Sequence, residues 1–110
     1  MLNEKIKINH TETIDNDTFK INYYESEYYG IKEKVYYNED KEVSFKTIVI
    51  VGKCRNTQVI EAVEREDEIV GFRIQTTAYG SLNKEGIQEL INEYQIAIET
   101  VEQLEKIFLK

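Results

Sequence analysis

The residues able to do chemistry are few. His10 is the only histidine and Cys54 the only cysteine among 110 residues. Lys53 and Arg55 flank the thiol and favour its thiolate, but no second cysteine or neighbouring histidine stands near it in the sequence to serve as base or resolving thiol. One Cys and one His cannot supply the four ligands of a structural zinc site. Glu12, Asp15 and Asp17 offer carboxylates for a divalent cation, yet the rest of a calcium-loop pattern is missing, and Asp15-Asn16-Asp17 reads as a side-chain-capped turn. Ile48-Val49-Ile50-Val51-Gly52-Lys53 resembles a strand entering a phosphate loop. The G-x-x-x-x-G-K-[ST] spacing is absent, however, and Gly52 is expected at a hairpin. The sequence predicts a protein that is not an enzyme and uses no cofactor or metal.

Charge gives two surfaces that could recognise a partner. Residues 1–55 hold 9 Lys/Arg against 10 Asp/Glu and residues 56–110 hold 5 against 11, so the net charge of −7 lies almost wholly in the second half. Such a field repels nucleic acid and membrane surfaces, attracts basic partners and maintains solubility. The acidic set is Glu64, Glu66, Asp67 and Glu68 at a hairpin, then Glu89, Glu93, Glu99 and Glu102 along a helix. Glu99 and Glu102 fall in the half of the helix where the macrodipole disfavours acids, which directs attention to a partner. The second surface, Lys20, Tyr24, Lys32, Lys34, Tyr36 and Lys46, has the interleaved lysines and rings of a single-strand nucleic-acid binder.

The elements that position these residues follow from periodicity. Polar turns separate runs of strand length and composition near 4–9, 18–24, 30–37, 42–51, 57–64 and 68–77, and the short connections demand antiparallel neighbours. Alternation assigns Phe19, Ile21, Tyr23, Val35, Tyr37, Val43, Phe45, Val49, Val51, Val70, Phe72 and Ile74 to the core. Ile48 and Ile50 then make the fourth strand apolar on both faces, as a central strand would be. After Gly80 the period changes to 3.6, and a helix is predicted over 84–109 with Asn83 as N-cap and a Leu82–Ile87 staple. Its apolar arc contains Ile87, Leu90, Ile91, Tyr94, Ala97, Ile98, Val101, Leu104 and Phe108. Leu90, Tyr94, Ala97, Val101 and Leu104 are expected against Phe45, Val49, Phe72 and Ile74, while Ile96 and Ile107 fall on the far side as an oligomer contact. The helix exceeds the strands in length, so it crosses the sheet diagonally or projects at one end.

The expectation is therefore one α+β domain over 1–110, an antiparallel meander of five to six strands at about 4–77 packed on one long C-terminal helix. The longest apolar run, Ile48 to Val51, is far too short to span a membrane, and the first ten residues lack the apolar core of a signal peptide; together with the single cysteine this predicts a cytoplasmic protein. A meander closed by a C-terminal helix is similar in outline to pleckstrin-homology-like domains. In size, charge and missing chemistry the chain resembles small phage-encoded inhibitors such as anti-CRISPR proteins, and immunity proteins that neutralise nuclease toxins. That resemblance implies a basic, nucleic-acid-handling protein partner for the acidic face; a nucleic-acid binder and a homodimer or other homo-oligomeric module are the alternatives.

Overall fold

The computed structural model describes residues 6–76 and 79–109. In chain order the elements are β1 (Asn9–Asp15), β2 (Phe19–Glu25), β3 (Tyr29–Tyr37), β4 (Val43–Gly52), β5 (Ile60–Arg65), β6 (Glu68–Ile74) and α1 (Lys84–Phe108). The fold is α+β, with six antiparallel strands and one long C-terminal helix. The first strand was misplaced: the predicted 4–9 shares only Asn9 with β1, residues 6–8 are not strand, and residues 4 and 5 lie outside the described residues.

The strands divide between two sheets: β1-β2-β3-β4 form a four-stranded meander and β5-β6 a separate hairpin. The break follows Gly52, where a Cβ would collide with the Thr57 hydroxyl. Thr57 folds back so that its N–H and Oγ1 both donate to the Cys54 carbonyl, at 3.3 and 2.8 Å. Gly52 thus permits a tight turn by which the chain leaves the sheet. As a result β4, expected to be central, is an edge strand.

Which face is buried is decided by β3. Its alternation is unambiguous, with Tyr29, Ile31, Glu33 and Val35 buried and Lys32 exposed. The register sets Ile31 against Ile50 and Glu33 against Ile48, so the isoleucines of β4 turn inward. Phe45, Val49 and Val51, expected in the core, lie on the outer face opposite Tyr36, Lys32 and Gly30. Phe19, Ile21 and Tyr23 share that outer face through their pairing with Tyr36, Lys34 and Lys32. Ile21 is nonetheless buried. The core proper is Tyr29, Ile31, Ile48, Ile60, Ala97 and Leu104, with Ile69, Phe72, Ile74, Ile96, Val101 and Phe108 packed against it.

Asn83 caps α1 as predicted, its side-chain oxygen accepting from Gly86 N at 2.8 Å. The buried stripe is rotated by roughly 70° from the predicted arc, at 100° per residue. Ala97, Thr100 and Leu104 lie on it, whereas Ile87, Ile91 and Ile98 are exposed. Ile96 and Ile107, placed on the far side by sequence, are partly buried, and Ile96 packs on the core. Thr100 can occupy the stripe because its hydroxyl donates to the Ile96 carbonyl at 2.8 Å, leaving no unmet polar group. The four buried positions of α1 all lie between Ala97 and Leu104, so its N-terminal end projects, in keeping with principal extents of 57 × 27 × 24 Å.

Candidate functional site

The groups considered for catalysis are dispersed. His10 is exposed on β1, its Nε2 2.7 Å from Thr13 Oγ1 and its ring 5.2 Å from that of Tyr24. Cys54 is an exposed free thiol in the β4–β5 turn. The neighbouring Lys53 ammonium is turned away to donate to Glu25 Oε2 at 3.1 Å and to the Ser26 carbonyl at 3.0 Å. At the β1–β2 turn Asn16 Oδ1 accepts from Thr18 N, Thr18 Oγ1 and Phe19 N, each at 2.9 Å, while Asp17 pairs with Lys41 at 3.5 Å. This is a capped turn. Among the described residues no group of three or more His, Cys, Asp or Glu is placed to hold a metal ion.

The carboxylates divide sharply. Glu64, Glu66, Asp67 and Glu68 are all exposed at the tip of the β5–β6 hairpin. Arg65 and Glu68 are the last paired residues, so Glu66 and Asp67 alone make the turn, with φ of 53° and 65°. Both residues are in the left-handed region that a two-residue type I′ loop requires and that Asn-Gly usually fills. On the helix Glu89 and Glu102 are exposed but point about 140° apart, at 100° per residue. Glu93 is half-buried and accepts from Gln58 Nε2 at 3.4 Å. Glu99 is buried, and neither of its carboxylate oxygens has a hydrogen-bond partner among the described residues. The helix therefore presents no single acidic face, and the hairpin tip is where the acids converge.

Beside the tip lies a groove of about 320 Å³ between β4, the hairpin and the end of α1. Its lining is mixed: Val43, Phe45, Ile48, Ile69 and Phe108 supply apolar wall, and Glu33, Lys46, Asp67 and Glu68, with Ser44, supply polar groups and a net charge of −2. Glu33 is held from both sides: Asn22 Nδ2 donates to Oε1 at 2.9 Å and Lys46 Nζ lies 3.8 Å from Oε2. A slot of mixed lining with carboxylates at floor and rim suits the stem and charged head of a lysine or arginine. The groove draws its residues from strands far apart in sequence, so nothing in the sequence pattern announced it.

The predicted lysine and tyrosine surface is split by the sheet. Lys20, Tyr24 and Lys46 share the inner side, where Tyr24 packs edge-on to Phe108 at 5.4 Å. Burial, and next the charge of Glu33, raise the Tyr24 phenol above its usual pKa. Lys32, Lys34 and Tyr36 are on the outer face with Phe19, Tyr23 and Phe45. There Tyr36 stacks on Phe45 at 4.3 Å, and the Lys34 ammonium lies 4.5 and 4.8 Å from the Phe19 and Tyr36 ring centres. Comparison with protein families, curated proteins and solved structures finds no match for the chain.

Proposed function

We propose that this protein is a non-enzymatic protein-binding module whose acidic hairpin end receives a basic segment of a partner protein. The observation carrying the reading is the convergence of Glu64, Glu66, Asp67 and Glu68 at one turn, beside a groove of mixed lining and net negative charge. The most concrete version is an inhibitor of the kind phages and mobile elements encode, occupying the basic groove of a nucleic-acid-handling protein in the cytoplasm. A labelled hexa-arginine peptide tests the mechanism by fluorescence anisotropy. Binding should weaken with salt, and Glu66→Lys with Asp67→Lys should weaken it about tenfold at low ionic strength. Unchanged binding by that variant would remove the acidic end from the mechanism.

A second reading rests on the outer sheet face, where four rings and two lysines come together. It makes that face a platform for single-stranded nucleic acid, with bases stacking on rings and the lysines following the backbone. Binding of a labelled oligothymidylate that Lys32→Glu abolishes would favour it over the acidic-end reading.

A further inference from the structure

One carboxylate in the groove stands apart from the others. Asp67 and Glu68 are exposed at the rim, whereas Glu33, in the middle of β3, is only 6 % exposed. A buried carboxylate costs free energy unless donors meet its oxygens. Glu33 Oε1 accepts from Asn22 Nδ2 at 2.9 Å, but Oε2 has no hydrogen bond among the described residues. The Lys46 ammonium stands 3.8 Å from Oε2, beyond the roughly 3.2 Å that an N–H···O bond allows. Lys46 reaches Glu33 diagonally, from the position paired with Val35, and its side chain is 48 % exposed. A half-wet ion pair of this length is held weakly. Among the described residues no three acids come close enough to share a metal ion, so the lining suits an elongated organic cation.

We propose that the groove selects arginine over lysine: a guanidinium from the partner's basic segment displaces the Lys46 ammonium and donates to Glu33. Its stem then lies against Phe45, Ile48 and Phe108, and a neighbouring positive residue of the segment meets Asp67 and Glu68 at the rim. The inference rests on the acidic-end reading and names the residue type that this end recognises. Lys46 is the internal form of the ligand, a cation on an alkyl stem in the place the arginine takes. The exchange keeps a positive charge beside Glu33 throughout, so no bare buried carboxylate is left behind. Guanidinium suits the position better than ammonium for two reasons. Its parallel N–H groups reach both oxygens of one carboxylate, and Oε1 keeps a second lone pair after the Asn22 bond. It is also planar and weakly hydrated, so it loses less on leaving water and can lie on the Phe45 or Phe108 ring. A lysine only repeats what Lys46 already supplies.

Fluorescence anisotropy with labelled hexa-arginine and hexalysine, which carry equal charge, tests the selection. The protein should bind hexa-arginine about tenfold more tightly than hexalysine. Glu33→Gln should bring that ratio to within about twofold, whereas Glu66→Lys with Asp67→Lys should weaken both peptides and preserve it. Lys46→Met should tighten hexa-arginine about fivefold, and Lys32→Met, the same charge change on the outer face, by less than about twofold. Lys46→Met alters a half-exposed position and leaves Glu33 in place, so it tests the exchange even where Glu33→Gln fails to fold. In nitrogen-15 spectra of the unaltered protein, the Asn22 side-chain amide should shift with hexa-arginine and less with hexalysine. Equal affinity for the two peptides, or no tightening in Lys46→Met, overturns the arginine site and leaves the acidic end standing. Binding of both peptides that the Glu66 and Asp67 changes leave unaltered overturns the acidic end itself, and binding of neither peptide overturns both.

Discussion

Alanine at Ile96 and at Ile98, two residues apart on α1, separates two rotations of the helix. The sequence periodicity makes Ile98 a core residue and Ile96 a spectator, with a cost for Ile96→Ala within about 0.5 kcal/mol. The structure reverses them: Ile96 packs against the core, and Ile98 is 47 % exposed. Leu104, at 0 % exposure, sets the scale. Leu104→Ala removes three carbons worth about 0.8 kcal/mol each and leaves a cavity of roughly 60 Å³ at about 24 cal/mol per Å³, together about 4 kcal/mol. Ile96→Ala, mostly but not wholly buried, should cost about 2 kcal/mol, and Ile98→Ala, with half its surface already wet, about 1 kcal/mol or less. Urea unfolding followed by far-ultraviolet circular dichroism measures all three, with comparable slopes required before midpoints are compared. If Ile98→Ala proves more costly than Ile96→Ala, the assigned buried stripe is wrong.

The turn at Glu66 and Asp67 should be improvable: Glu66→Asn with Asp67→Gly relieves two left-handed non-glycine residues and should raise stability by about 1 kcal/mol, read as a higher unfolding midpoint. The same variant should bind hexa-arginine less well, so stability and binding move in opposite directions. Tyr29 governs behaviour in alkali. Its phenol, pushed up to about 12 mainly by burial, with the Gln58 backbone opposing and Glu93 adding, keeps its proton where an unfolded tyrosine loses it near 10. That stabilisation is complete below pH 10 and lost as pH rises from 10 to 12, by about 2 to 3 kcal/mol. Midpoints measured across this window should fall less steeply in Tyr29→Phe, although at neutral pH that variant loses about 1 kcal/mol with its hydrogen bond.

Strand composition and turn chemistry made most of the elements readable, because Asn16, Asn38 and Asn83 do locally what their types suggest. Asn38 Oδ1, for example, closes the β3–β4 turn by accepting from Asp40 N at 2.9 Å and Glu42 N at 3.0 Å. Face assignment failed where the pattern was degenerate. β4 alternates Ile with Val and Phe, and only its register against β3 chooses between them. The helix failed for a different reason: Thr100 and Glu99 look like surface residues, and burial of Thr100 depends on a bond to its own backbone. The carboxylates at the hairpin tip were visible as a run, whereas their groove and the partition of lysines across the sheet depend on pairing.

The uneven support of α1 makes it a helix of graded persistence. Its fully enclosed positions begin only at Ala97 and its tertiary contacts at Glu93 and Ile96; ahead of those stand the Asn83 cap and a Gln88–Asn92 side-chain bond at 3.1 Å. The eight residues Lys84–Ile91 are fewer than a helix needs to survive alone in water. The Lys84–Ile91 end should therefore open by local fraying, its amides exchanging with solvent readily, while those around Thr100 exchange only when the whole domain unfolds. One continuous rod thus contains two cooperative regimes, and Ile87 and Ile91 belong to the regime that can reorganise without disturbing the sheet.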